Sequence, residues 1–259
     1  MSTKYPIVLV HGVGIKELKY FRAFGKIENV LSKDGHVVST ADTDGFGKIE
    51  TNAQQLKEYI EKILETHKAE KVNIIAHSKG GLDTRYMIDR LEMKDKVASV
   101  TFLCTPHKGS QIATRLYALP GFIKKFIAFL LTVTYRHFGD KDPQVLEVCK
   151  QLQHSPEDIL ETFNPFDGVF MQSYSSVLHK GSDDFILGIP LYFSRKYESD
   201  QSDGLVSIES SKFAEYKGNC INDSISHAEI IDLTMNKKKK EKVYAFYTSL
   251  CNDLSQRGF

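Results

Sequence analysis

Short runs rich in Val and Ile alternate along the chain with longer stretches in which apolar positions recur every three or four residues. The runs are Ile7–Val10, His36–Ala41, Val72–Ala76, Val97–Cys104 and Ile186–Phe193. They are nearly continuous in apolar character, the pattern of strands buried on both faces of a parallel sheet. Between them, "TNAQQLKEYIEKILETHKAEK" carries Leu56, Ile60, Ile63 and Leu64 at i, i+4, i+7 and i+8, which predicts an amphipathic helix. Leu82, Tyr86 and Leu91 continue a second helical face after Ser78. Strand and helix in this alternation predict an α/β fold with a mostly parallel, doubly wound sheet.

One segment departs from the alternation. Residues 112–165 hold two helical pieces and no strand pattern. The first piece, "LPGFIKKFIAFLLTVTYRHF", places Phe122, Phe126, Phe129 or Leu130, and Val133 on one face, with Lys124, Lys125 and Arg136 between or beside them. Two readings stand: a core helix, or a mobile helical cover over an apolar site. The lysine run in "NKKKKEKVYAF" reads as the solvated start of a C-terminal helix, an anionic membrane patch being the alternative. With no repeat, low-complexity tract or linker, residues 1–259 read as a single domain.

Composition narrows the function without naming it. The chain of 259 residues is 41% hydrophobic and 26% charged, as a globular α/β domain with an insertion would be. A net charge of +1 argues against nucleic acid as a partner. Cys104, Cys149, Cys220 and Cys251 form no C-x-x-C pair, which removes the common zinc patterns and gives no disulfide framework. Cys104, within an apolar run, is expected as a buried free thiol. The opening "MSTKYPIVLVHG" lacks the apolar region and cleavage site of a signal peptide, leaving an intracellular chain or a mature secreted form. No run reaches the roughly 18 apolar residues of a membrane span.

Chemistry concentrates around "VNIIAHSKGGLDTRYMI". Ser78 falls on a tight corner between a buried strand and a helix, with Ala76 and Gly80 two residues to either side, a variant of the G-x-S-x-G nucleophile elbow. Small residues are required there because the neighbouring backbone approaches closely. A serine hydroxyl needs a base to take its proton and a carboxylate to orient that base. With the chain order serine, acid, histidine, His227 in "NDSISHAEIIDL" is the base candidate, since it lies beyond the last predicted strand. Asp203, followed by Gly204, is the leading acid; Asp200 and the pair Asp183–Asp184 are its rivals. An oxyanion hole requires two N–H donors, expected from the backbones of Lys79 and of Val13 in "IVLVHGVG", with His11 holding that loop.

The segments "YPIVLVHG", "KVNIIAHSKGGLDTRY", "VASVTFLCTPHKGS", "SDGLV" and "SHAEIIDL" together resemble the bacterial triacylglycerol lipases of the α/β-hydrolase fold. The resemblance implies Ser78 as nucleophile, Asp203 as acid, His227 as base, and the amides of Val13 and Lys79 as oxyanion donors. It places Thr105, Pro106, His107 and Gly109 in a structural loop beside the site, and residues 112–165 where the family has its lid. Two departures stand out. "DGLVSIESS" lacks the cysteine that many secreted members carry, and Glu229 stands where several hold an aspartate ligand of structural calcium. Asp183, Asp184 and Asp232 are the other carboxylates on hand, without a full ligand set. No cofactor is expected beyond that optional calcium. The implied function is hydrolysis of an acyl ester, with an acyl ester or lipid as partner and transient lipid contact through the lid. Alternatives are an acyltransferase or thioesterase using the same three residues, or a non-catalytic lipid-binding protein.

Overall fold

The computed structural model describes residues 2–18, 22–153, 168–184 and 201–259. Six parallel strands form one sheet: β1 (Ile7–Val10), β2 (Val38–Thr40), β3 (Val72–His77), β4 (Val97–Leu103), β5 (Phe170–Val177) and β6 (Glu215–Ser224). Their order is β2-β1-β3-β4-β5-β6. The helices are α1 (Ile27–Lys33), α2 (Ile49–His67), α3 (Lys79–Arg90), α4 (Gln111–Tyr117), α5 (Gly121–His137), α6 (Val145–Gln151), the single turn α7 (Ile208–Ser211) and α8 (Lys237–Gln256). The doubly wound α/β fold expected from the pattern is therefore present, and it is that of the α/β hydrolases.

Successive strand residues point to opposite faces, so each strand feeds two cores. Val8, Val10, Ile74, Ala76, Val100 and Phe102 pack under α2 and α3. Ile7, Leu9, Ile75 and Leu103 pack under α1 and α8, with Tyr247, Leu250 and Cys251 of α8 buried against them. Both faces being dry explains why these strands read as unbroken apolar runs. The strand order reverses between β1 and β3, and at such a switch point the loops leaving the strand ends diverge to opposite faces and open a crevice.

β1, β3 and β4 lie where the sequence places them, and β2 is shorter than expected. The run Ile186–Phe193 lies outside the described residues. β5 and β6 escaped the hydrophobic pattern for a physical reason. β5, "FMQSYSSV", is buried but polar, its side chains bonding laterally: Gln172 Nε2 donates to Thr101 Oγ1 (3.0 Å), and Ser175 Oγ pairs with the Tyr216 hydroxyl (2.6 Å). β6 is an edge strand with much of its length solvated. All four cysteines are free thiols, and Cys104 is buried as expected.

Candidate active site

Ser78 joins β3 to α3 with φ 55° and ψ −132°, a conformation uncommon for a residue with a side chain. Its N–H donates to the Leu103 carbonyl of the neighbouring strand (2.9 Å), and its side chain does not cap α3. The hydroxyl is thus left for other chemistry. The corner closes only because its neighbours are small. A Cβ on Gly80 would stand 2.4 Å from the His11 carbonyl oxygen, and one on Gly12 would stand 2.6 Å from Ser78 Cβ.

His227 follows β6 by three residues and reaches the same crevice as Ser78. Its Nδ1 lies 2.7 Å from Asp203 Oδ2, and its N–H donates to the Asp203 carbonyl (3.0 Å). Asp203 is buried, and its other oxygen accepts from the N–H groups of Leu205 (2.9 Å) and Val206 (2.8 Å). Three donors therefore fix the carboxylate. With Nδ1 donating to it, Nε2 is the basic nitrogen. Of the rivals, Asp183 accepts from Ser224 Oγ (2.6 Å), Asp184 accepts from Ser226 Oγ (2.5 Å), and Asp200 lies outside the described residues.

Val13 lines the crevice beside Ser78. Among the described residues, neither the Val13 N–H nor the Lys79 N–H donates a hydrogen bond. Val13 stands at the edge of the cavity and Lys79 directly follows Ser78, and unengaged amides beside the nucleophile are what a developing oxyanion requires. His11 ties the β1 loop down: Nδ1 meets the Gly12 carbonyl (3.1 Å) and Nε2 the Thr43 hydroxyl (3.3 Å), and burial pushes the ring down to about 4, which keeps it neutral. The Lys79 side chain turns away from the crevice into a buried pair with Asp83 (2.7 Å). His107 is also buried, stacked on Phe213 beside Arg85, as a structural loop would place it.

The crevice encloses about 250 Å³, and its wall is almost wholly apolar. α5 supplies one side through Ile127, Ala128 and Leu131, and Leu116 of α4 and Cys149 and Leu152 beyond it add to the rest. The outer side of α5 is apolar as well: Phe122 is 77% exposed, Phe126 63%, Phe129 62% and Val133 53%. Only Ala128 of the helix is buried, so α5 is not a core helix. Residues 154–165 of the predicted insertion lie outside the described residues.

Two neighbours of the site gave no signal in the sequence. The ring of His77 lies 4.5 Å from that of His227, and burial holds it well below the usual imidazole range. Nothing in the elbow motif tells which way the residue before the serine points. Cys104 Sγ, an Asp203 oxygen and a His227 nitrogen lie within 4.8 Å of one another, the single convergence of metal-type donors among the described residues. The aspartate and histidine there are already paired with each other. The carboxylates considered for calcium do not form a cage: Glu229 accepts from Lys239, Ser226 and Thr234, and Asp232 accepts from the Lys26 N–H and the Tyr244 hydroxyl.

Comparison with known proteins bears on the family and the fold. A family model described as palmitoyl protein thioesterase matches residues 6–142, just over half of the chain. Triacylglycerol lipase 2 of Saccharomyces cerevisiae is 28% identical over 254 residues, covering 90% of this chain and 73% of that protein. A triacylglycerol lipase of Vibrio cholerae is 40% identical over 113 residues, covering 43% of this chain and 36% of its own. The match thus spans about a third of the bacterial relative's length. Among solved structures, the mature Bacillus licheniformis lipase BlEst2 superposes with a TM-score of 0.68 at 20% identity, covering 96% of this chain and 92% of that one. The Staphylococcus hyicus lipase superposes with a TM-score of 0.71 at 16% identity, covering 98% and 97%. At those identities the structures speak for the fold, while the sequence relatives bear out the resemblance to the triacylglycerol lipases.

Proposed function

The chain belongs to the palmitoyl protein thioesterase family, and on that premise we propose that it is a serine-dependent carboxylic ester hydrolase, lipase-like, acting on acyl esters such as acylglycerols. The observation that carries this reading is the convergence of Ser78, His227 and Val13 on one apolar crevice, with Asp203 fixed behind His227. Ser78 Oγ attacks the ester carbonyl while its proton passes to His227 Nε2. The oxyanion is held by the Val13 and Lys79 amides, and Asp203 stabilises the imidazolium. His227 returns the proton to the leaving alcohol, which departs and leaves the acyl-enzyme. His227 then takes a proton from water as the hydroxide attacks the acyl carbonyl, and gives it to Ser78 Oγ as the acid is released.

An apolar wall favours the acyl chain as the recognised part, since each buried methylene contributes about 0.8 kcal/mol. Residues 112–165 serve in this reading as a cover. The inner side of α5 closes the crevice, and its exposed apolar stripe meets a lipid surface transiently. Among the described residues no single helix is long and apolar enough to cross a membrane; α4 and α5 pass that test only together, across a bend of 111°.

The test is hydrolysis of p-nitrophenyl esters from acetate to palmitate by wild type and Ser78→Ala. We expect activity that rises toward long, micellar esters and falls to background in Ser78→Ala; full activity in that variant would overturn the assignment. The family match favours a second reading, a thioesterase, because the acyl-enzyme half-reaction is shared. Rates on palmitoyl-CoA against p-nitrophenyl palmitate, with glycerol as competing acceptor, separate hydrolase, thioesterase and acyltransferase.

A further inference from the structure

The lysine run at the start of α8 is not uniformly solvated. Lys237 and Lys238 face solvent, but Lys239 turns inward, its side chain only 13% exposed. Its ammonium straddles the Glu229 carboxylate, at 2.8 Å from Oε1 and 2.6 Å from Oε2, and also donates to the Asp183 carbonyl (3.2 Å). Glu229 is itself buried and is two residues from His227. Its Oε2 accepts from the Ser226 N–H (3.0 Å) and its Oε1 from the Thr234 hydroxyl (3.0 Å). The carboxylate thus gathers both ends of the loop that carries His227, and Lys239 joins that bundle to a helix anchored in the core through Val243, Tyr247 and Leu250.

We propose that Lys239 is a positioning residue for His227: an ammonium built into α8 that, by clamping Glu229 and the Asp183 carbonyl, holds the loop presenting His227 to Ser78. This rests on His227 being the base. A buried carboxylate that loses its cation is strongly disfavoured, so the loop must reorganise to hydrate it or bring in another donor. Displacement of about 1 Å at a catalytic group costs on the order of 100-fold in rate. Substrate binding in the apolar crevice does not involve Lys239 and should persist.

The experiment compares wild type, Lys239→Met, Lys239→Ala, Lys239→Arg and the exposed control Lys238→Met. Each is assayed on a soluble short-chain p-nitrophenyl ester and by the rate of covalent labelling with an alkyl phosphonate, well below its Tm. Lys239→Met keeps the length of the side chain and removes the charge. It is expected to lose about 10–100-fold in kcat and in labelling rate with KM unchanged within about twofold. Lys239→Arg is expected to recover most of the loss, and Lys238→Met to show none. Methylammonium at tens of millimolar is expected to raise the activity of Lys239→Ala. A Lys239→Met enzyme with kcat within about twofold of wild type overturns the proposal, as does a lowered Tm with labelling intact. Wild type without Ser78-dependent activity or labelling would instead overturn the hydrolase reading, so the two failures are distinct.

Discussion

Lys79 shows how one residue can be legible in part. Its backbone amide follows from the elbow motif, because the residue after the nucleophile opens a helix whose first N–H groups have no partner. Its side chain does not follow. It is buried to 1% exposure against Asp83, which also accepts from Asn52 (3.3 Å), and burial outweighs the pairing enough to push Asp83 up to about 6. Removing one member of a buried pair leaves the other charge without compensation. Asp83→Ala should therefore cost about 3–5 kcal/mol in urea unfolding, whereas the double replacement Lys79→Met/Asp83→Leu should recover most of it. A loss below about 1 kcal/mol in the single variant would show that the ammonium finds water.

At the scale of elements, α5 is apolar both on the side that lines the crevice and on its exposed side. Its inner side faces the crevice, while its outer side is largely exposed, which a hydrophobic pattern cannot distinguish from burial. Its far end is fastened near the proposed oxyanion loop. The Tyr135 hydroxyl donates to the Gly14 carbonyl, and Asp140 accepts from the Gly45 (2.9 Å) and Phe46 (2.9 Å) N–H groups. The exposed stripe supports no packing, so Phe126→Ser/Phe129→Ser should leave Tm within about 2 °C of wild type, as surface changes do. The same variant should lose activity on micellar long-chain esters several-fold and keep it on soluble short ones. An equal loss on both classes would assign the stripe a part in folding rather than in meeting lipid.

Over the whole molecule, buried histidines set the response to acid. Burial pushes His11 down to about 4 and holds His77 and His107 well below 6.5, the latter with help from Arg85. In each case the unfolded chain takes up a proton near pH 6.5 that the folded chain refuses, so stability falls as pH drops from about 6.5 toward 4. Asp83 acts in the opposite sense: its folded value of about 6 lies above the unfolded 3.8, so acidification through that window adds stability. His36, also lowered by burial, adds to the loss, while Glu17 and Asp140, raised by burial, add to the gain; the four lowered histidines set a net loss. Tm measured from pH 7.5 to 4.5 should decline below about pH 6.5, and a flat profile to pH 4.5 would show that these rings gain protons without unfolding.

By itself the sequence determined the parts whose chemistry is local. The dry strands β1, β3 and β4 show as apolar runs because both faces are covered, and α2 shows as a periodic stripe because one face is. The strand-to-helix corner at Ser78 is legible because small residues must flank it, whereas the chain order of a recurring site only narrowed the acid to Asp203 and its rivals; the pairing of Asp203 with His227 came from the fold. The parts that depend on contacts between distant segments were decided only by tertiary structure. β5 is a core strand of serine and glutamine because Thr101, Phe213, Tyr216 and Asn219 offer its side chains partners, and Lys239 leaves its solvated neighbours because Glu229 and the Asp183 carbonyl converge on it. A hydropathy pattern records what each side chain would prefer when alone. Which polar groups become partners is settled when the chain closes on itself, since a buried donor or acceptor is stable only where its complement arrives.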